Sequence, residues 1–182
     1  MKRSAWLGFA CVLVVTAALD QGSKAWAHGL PTQPAGCGLA EVVAQHCQGV
    51  PQPVISGYWD WELAMNPGAA FSTLVGGTGA QILLSVVALA ALVALGIAAA
   101  RTRPEERLKR IALAMIAGGA LGNLIDRVRI GAVTDFVRWR IHDHLWPIFN
   151  VADAALLVGV VLLVVATRKT SRSPAAGVTM PA

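Results

Sequence analysis

Four long apolar runs, at 5–22, 78–100, 108–126 and 146–167, set the terms on which this chain can fold. A helix needs about 20 mostly apolar residues to cross a hydrocarbon core of roughly 30 Å, and in lipid its backbone groups must be satisfied within the segment. The runs therefore predict four transmembrane helices in one membrane domain covering 1–182, although the first and third reach that length only with their polar ends counted in. Composition agrees: 55% of residues are hydrophobic and only 14% charged, with a mean hydropathy of +0.59, which excludes a soluble domain. The third run carries Gly118, Gly119 and Gly122, small residues that let helix backbones approach closely, so a compact α-helical bundle is expected.

Ten of the 15 Lys and Arg fall in three flanks on one side of the predicted topology: Lys2 and Arg3; Arg101, Arg103, Arg107, Lys109 and Arg110; and Arg168, Lys169 and Arg172. By the positive-inside rule that side is the cytoplasm, which puts both termini inside and makes 27–77 and 127–145 outer loops. The tail, 168–182, reads as a disordered cytoplasmic end. Basic residues spread over three short flanks, not interleaved with aromatics in one patch, give no case for nucleic acid. Met1-Lys2-Arg3, an apolar run and Ala25-Trp26-Ala27 together have the outline of a cleavable signal peptide. Asp20 and Lys24 interrupt that outline, and cleavage would leave three spans, so the first run is read as a retained helix. Cys11 within it reads as a small packing residue.

The outer loops carry strand signals. Over 58–65, YWDWELAM places Trp59, Trp61, Leu63 and Met65 on one face and Asp60, Glu62 and Ala64 on the other, a period of two. This predicts a small β-sheet resting on the bilayer, followed by a turn at Asn66-Pro67-Gly68. Five of the six tryptophans, Trp26, Trp59, Trp61, Trp139 and Trp146, fall at the outer interface, where indole rings prefer to sit. Over 133–141 a second alternation sets Asp135 among Val133, Val137, Trp139 and Ile141, although Phe136 breaks it from the other face. A carboxylate on an apolar face should be raised in pKa by desolvation. Cys37 and Cys47 share the first outer loop, where an oxidising exterior would allow a disulfide; the alternative is two unpaired thiols. His46 beside Cys47 supplies too few ligands for a metal site, and His142-Asp143-His144 reads as solvated loop side chains.

Within or beside the spans lie Asp20, Asn123, Asp126, Asn150 and Asp153, all toward the outer end. Asn123 with Asp126, and Asn150 with Asp153, are three apart and so share a helical face. Asp126 could be neutralised by Arg127 or Arg129, and Asp20 by Lys24. Asp153 lies deeper and has no basic residue within several positions, which makes it a functional candidate in need of a partner. Two neighbouring aspartates share a proton, and one can then activate water while the other acts as acid, which is aspartic peptide hydrolysis. Spacing alone leaves both Asp126 and Asp135 open as that partner. The rival reading is a small proton- or cation-coupled transporter. Such sites lie near the midplane, often in repeated halves; here the carboxylates gather at one end and no repeat is evident.

Taken in order, these residues resemble the bacterial lipoprotein signal peptidase family, signal peptidase II. DQGSK at 20–24 is similar to the family's D-Q-x-x-K, and NPGAAFS at 66–72 to its N-x-G-A-A-F-S. GNLIDR at 122–127, GAVTDFV at 131–137 and FNVAD at 149–153 resemble its remaining motifs. The resemblance covers most of the chain. It implies an aspartic endopeptidase of the bacterial cytoplasmic (inner) membrane that cleaves signal peptides from diacylglyceryl-modified prolipoproteins at the outer face, without metal or cofactor. It implies Asp135 and Asp153 as the catalytic pair, with Asp20, Lys24, Asn66, Gly68, Asn123, Asp126, Arg127 and Asn150 supporting the pair or contacting substrate. The implied partners are lipidated prolipoproteins and membrane lipids, and a monomer is expected. Two departures stand out: Pro67 follows Asn66, and the loop between Lys24 and Tyr58 is longer than the family's, with Cys37 and Cys47 in the excess.

Overall fold

The computed structural model describes residues 3–68, 77–141 and 144–171. Lys2, the 69–72 end of the NPGAAFS stretch, His142, Asp143 and the tail from Arg172 lie outside the described residues. Four long helices are present: α1 (Arg3–Ala27), α3 (Gly77–Arg101), α4 (Arg107–Ile130) and α5 (Val151–Ser171), with a short α2 (Leu39–Val43) in the first outer loop. Each long helix is long and apolar enough to span a bilayer.

The helix ends differ from the expected ones for local reasons. α1 continues five residues past 22, which places Lys24 one turn above Asp20 so that the two form an ion pair at 2.8 Å. α4 runs on to Ile130 and closes at Gly131, whose φ of 74° is left-handed and whose amide caps the Arg127 carbonyl at 3.1 Å. α5 begins only at Val151, because the preceding Phe149 bonds to a strand instead of a helix: its amide donates to the Val137 carbonyl at 3.1 Å, and the Val137 amide returns to the Phe149 carbonyl at 2.8 Å.

α4 is the central helix, packing on α1, α3 and α5, and is far more buried than α3. Its glycine stripe makes that possible. A Cβ on Gly118 would sit 2.6 Å from Thr16 Cβ of α1, one on Gly119 would sit 2.6 Å from the Ala152 carbonyl of α5, and one on Gly122 would strike the Asp20 carboxylate. The apolar core of the bundle gathers Phe9, Ala99, Leu113, Ala114 and Ala117.

Above the helices stands an antiparallel sheet in the order β3 (Gln52–Ile55), β4 (Trp59–Asn66), β5 (Val133–Ile141), β6 (His144–Leu145), with a separate pair β1 (Thr32–Gln33) and β2 (Gln48–Gly49). The β4–β5 register sets Ala64 opposite Asp135 and Asn66 opposite Val133. The sheet does not simply lay one apolar face on lipid, as the alternation suggested. Leu63 and Met65 are buried with Val42 and Cys47 under the first outer loop, whereas Trp59 and Trp61 join Ala27, Phe136 and Val137. The acidic face of β4 is also covered: Asp60 is paired with Arg140, and Glu62 with Arg138 at 2.5 Å. Phe136 broke the sequence alternation because β5 is buried on both faces over its first five residues. Cys37 and Cys47 form a disulfide that closes this outer loop. Glu41, not His46, lies beside the two sulfurs, which are already spent on each other.

Candidate active site

The polar residues picked out along the sequence converge where α1, α4, β5 and α5 meet. Lys24 is the hub. It is 1% exposed, and its ammonium donates to Asp20 Oδ2 at 2.8 Å, Asp126 Oδ2 at 3.1 Å and Asn123 Oδ1 at 2.9 Å. An ammonium carries three protons, so all three are used. Asp126 therefore takes its cation from α1, 102 positions away in sequence, and not from Arg127 or Arg129 as its neighbourhood suggested. Each hub carboxylate also tethers backbone from another element: Asp20 Oδ1 accepts the Ala152 amide of α5 at 2.9 Å, and Asp126 Oδ2 accepts the Thr134 amide of β5 at 2.9 Å.

From this hub two asparagines reach the remaining aspartates. Asn123 accepts from Lys24 and donates through Nδ2 to Asp153 Oδ1 at 2.9 Å. Asn150, fully buried, donates through Nδ2 to Asp135 Oδ1 at 2.6 Å and also lies within hydrogen-bond distance of Asn123 Oδ1 and the Thr134 carbonyl. It is at the same time the N-cap of α5. Its Oδ1 accepts the Asp153 amide at 2.9 Å, while its own amide donates to Asp153 Oδ2 at 3.3 Å, the reciprocal pattern of a capping box. At the third position of α5 the Asp153 carboxylate satisfies the otherwise orphan Asn150 amide and faces the positive end of the helix dipole.

Asp135 is reached from a third side by Asn66, whose Nδ2 donates to Oδ2 at 3.3 Å. Asn66 is itself fixed by accepting the Gly68 amide at 2.9 Å across the turn at Pro67. Gly68 has φ of 81°, a left-handed conformation that favours glycine, and a Cβ there would also push Leu84 Cδ1 aside. Burial pushes Asp135 up to about 7, and the charge of Asp153 adds to the rise; the Asn150 and Asn66 amides and, more distantly, Lys24 hold it down. Both Asp135 and Asp153 thus receive neutral amide donors, and the lysine stays one residue, Asn123, removed from Asp153 and two, Asn123 and Asn150, from Asp135.

Arg127 Nη1 reaches the Asn123 carbonyl at 3.4 Å, a long contact at the edge of the cluster. Three further participants went unmarked in the sequence. Gln21 donates to Asp126 Oδ1 at 3.0 Å and to the Gly122 carbonyl at 3.1 Å. Thr134 supplies a backbone group to both Asp126 and Asn150. His28 Nε2 lies 3.0 Å from Thr134 Oγ1, and burial lowers its pKa, which favours the neutral ring. Gln21 sits inside the DQGSK motif and could have been suspected; nothing local distinguishes Thr134 or His28.

Two carboxylates, Asp135 of the sheet and Asp153 at the start of α5, are thus held by amide donors at one end of a bundle whose four helices are long and apolar enough to cross a membrane. The family model described as signal peptidase (SPase) II matches residues 12–169. The lipoprotein signal peptidase of Xylella fastidiosa strain 9a5c is 36% identical over 162 residues, covering 86% of this chain and 83% of the relative. That of Polynucleobacter necessarius subsp. necessarius strain STIR1 is 36% identical over 165 residues, covering 90% and 91%. Two solved bacterial membrane enzyme structures superpose with TM-scores of 0.69 and 0.70 at 27% and 26% identity, the first covering 94% of both chains and the second 88% of this chain and 92% of that one. The chain belongs to the signal peptidase II family.

Proposed function

We propose that this chain cleaves the signal peptide from diacylglyceryl-modified prolipoproteins, with Asp135 and Asp153 as its catalytic dyad. The observation that carries the assignment is the division of labour in the buried cluster. Asp20 and Asp126 are committed to Lys24 and to backbone amides of other elements, whereas among the described residues Asp135 and Asp153 accept from amide donors, and they belong to the two elements that Asn150 ties together. Carboxylates neutralised by a lysine hold structure; carboxylates kept from one can share a proton.

Two neighbouring carboxylates titrate as a unit, and the deeper burial of Asp135 favours it as the holder of the shared proton. Asp153, half-buried at the helix mouth, then takes a proton from water as that water attacks the scissile carbonyl carbon. Asp135 donates its proton to the carbonyl oxygen; as the tetrahedral intermediate collapses, Asp135 recovers that proton and Asp153 passes the proton it took from water to the leaving nitrogen. Asn66 and Asn150 fix one carboxylate, and Asn123 with the α5 cap fixes the other, so little reorganisation is needed at the moment of reaction.

The remaining parts of the reading follow from topology. The basic flanks support a cytoplasmic-membrane protein with both termini inside, a site near the outer interface, and a substrate that enters laterally with its acyl chains left in lipid. We take the chain as a monomer whose site is complete within one copy. The discriminating experiment is cleavage of lipidated prolipoprotein by purified Asp135→Asn and Asp153→Asn. Each should lose all measurable cleavage while remaining folded, with a cooperative thermal melt in detergent. Full activity in either would remove that residue from the dyad, and loss of wild-type activity on chelation would point to a metalloenzyme instead.

A further inference from the structure

At the end of the bundle away from Asp135 and Asp153, α1 and the start of α4 enclose a cavity of about 600 Å³, within the range of small-molecule sites. Thirteen residues of α4 separate its Arg110 from Asn123, a distance of about 20 Å at 1.5 Å per residue. One wall is apolar, formed by Gly8, Phe9 and Val12 of α1 and Ile111 of α4; the other carries Arg107 and Arg110 from the first turn of α4.

Arg110 is 7% exposed. Its Nη2 donates to the Pro104 carbonyl at 2.9 Å, but its Nη1 is buried without a hydrogen-bond partner, and no carboxylate among the described residues pairs with it. The nearby acids do not fill that role. Glu106 is taken by the Arg103 amide at 2.8 Å and by Lys109 at 3.5 Å, and Glu105, which also lines the cavity, is exposed and makes no ion pair with Arg110. The helix end itself adds positive field. The first turn of α4 holds no acidic residue, and its N-cap, Glu106, turns its carboxylate back to the Arg103 amide and makes no capping hydrogen bond to the first-turn amides. Two arginines at a helix N-terminus oppose the macrodipole, and a buried guanidinium without a counter-charge is costly; an anion at this point would relieve both.

We propose that this cavity binds the phosphate headgroup of an anionic phospholipid, with Arg110 and Arg107 holding the phosphate and the Gly8 to Val12 wall taking the beginning of an acyl chain. The apolar wall is what favours a lipid over free phosphate. It continues onto the lipid-facing surface of α1, where Leu7 is 70% exposed, and it gives a bare phosphate nothing to bury. Basic pockets between membrane helices are suited to such headgroups.

The test uses the full chain purified in detergent, with bound lipid read by native mass spectrometry against phosphatidylglycerol and phosphatidylcholine of matched acyl chains. Phosphatidylglycerol should be retained at least about fivefold over phosphatidylcholine, the effect of one basic residue at an anionic surface. Arg110→Met should remove most of that preference. Gly8→Phe gives a second handle that leaves the charges in place: Gly8 lines the cavity and a Cβ there meets nothing within 4 Å, so a ring built from it should occupy cavity space and lower retention of both lipids. Arg103→Gln, exposed and outside the cavity, should leave the preference intact. Equal retention of the two lipids, or a preference that survives both Arg110→Met and Gly8→Phe, would overturn the proposal. Displacement of phosphatidylglycerol by millimolar inorganic phosphate would also overturn it, by showing a free-anion site. Cleavage by Arg110→Met in detergent should match wild type, so failure here is separable from any failure of the dyad.

Discussion

Replacing Lys24 by methionine removes one charge and keeps the approximate length and volume of the side chain, which isolates what the ammonium does. In the wild type it satisfies Asp20 at 2.8 Å, Asp126 at 3.1 Å and Asn123 at 2.9 Å, with the two carboxylate residues 0% and 4% exposed. Water cannot substitute readily at that depth. Breaking a buried ion pair by deleting one partner typically costs about 3–5 kcal/mol because the other charge is left uncompensated, and here two carboxylates are left facing each other. An exposed pair would give about 0.2–1 kcal/mol, so the two pictures differ by several-fold. The assay is denaturant unfolding in micelles for Lys24→Met, Asp126→Asn and the double variant. Coupling should appear as a double variant that costs at least about 1 kcal/mol less than the sum of the singles, since neutralising Asp126 removes part of the repulsion exposed by losing Lys24. Cleavage should fall as well, because Asn123 loses the partner that aims it at Asp153. Additive effects, or a Lys24→Met cost below about 1 kcal/mol, would show that the cluster is solvated and that the reasoning about its depth is wrong.

Two further expectations are simpler. Asp135 is raised from 3.8 to about 7, so the folded chain keeps a proton that the unfolded chain loses; its contribution to stability is complete below about pH 4 and is lost as pH rises through about 7. Melts of wild type minus Asp135→Asn across pH 4–8 should show that decline, and a difference that grows with pH would contradict the assignment. Cleavage, which needs the same proton, should fall above about pH 7. Gly122→Ala would press a methyl group into the Asp20 carboxylate and should cost about 1–3 kcal/mol, whereas Gly96→Ala meets nothing within 4 Å and should be neutral or slightly stabilising. Equal melting temperatures for the two variants would mean that α1 and α4 are not in close contact at Gly122.

The bundle was legible because lipid imposes length and polarity on every spanning segment, and the glycines of α4 announced a close approach. The site was legible in part. Asp153 stood out because no cation lay near it along the chain, and in the fold its partners are indeed an asparagine amide and its own helix cap. Asp135 was obscured because the first five residues of β5 are buried on both faces, so Phe136 blurred an alternation that one solvated face would have kept clean. The pairing of Lys24 with Asp126 crosses 102 positions, and no local rule reports such a contact. The acids of β4 were misplaced for a related reason: period two separates faces without saying what covers them, and arginines from β5 cover this one.

The threading of Asn150 bears on when this chain can act. One side chain begins α5, holds Asp135 of β5 and meets Asn123 of α4, while Asp20 of α1 anchors the next turn through Ala152. A chain caught midway through membrane insertion, lacking any of these four elements, cannot bring the two carboxylates into register. If the proposed dyad carries the reaction, the capping residue works as an assembly interlock: the two carboxylates take their places together with the finished fold, and a half-built or fraying copy would be inert toward its neighbours in the bilayer.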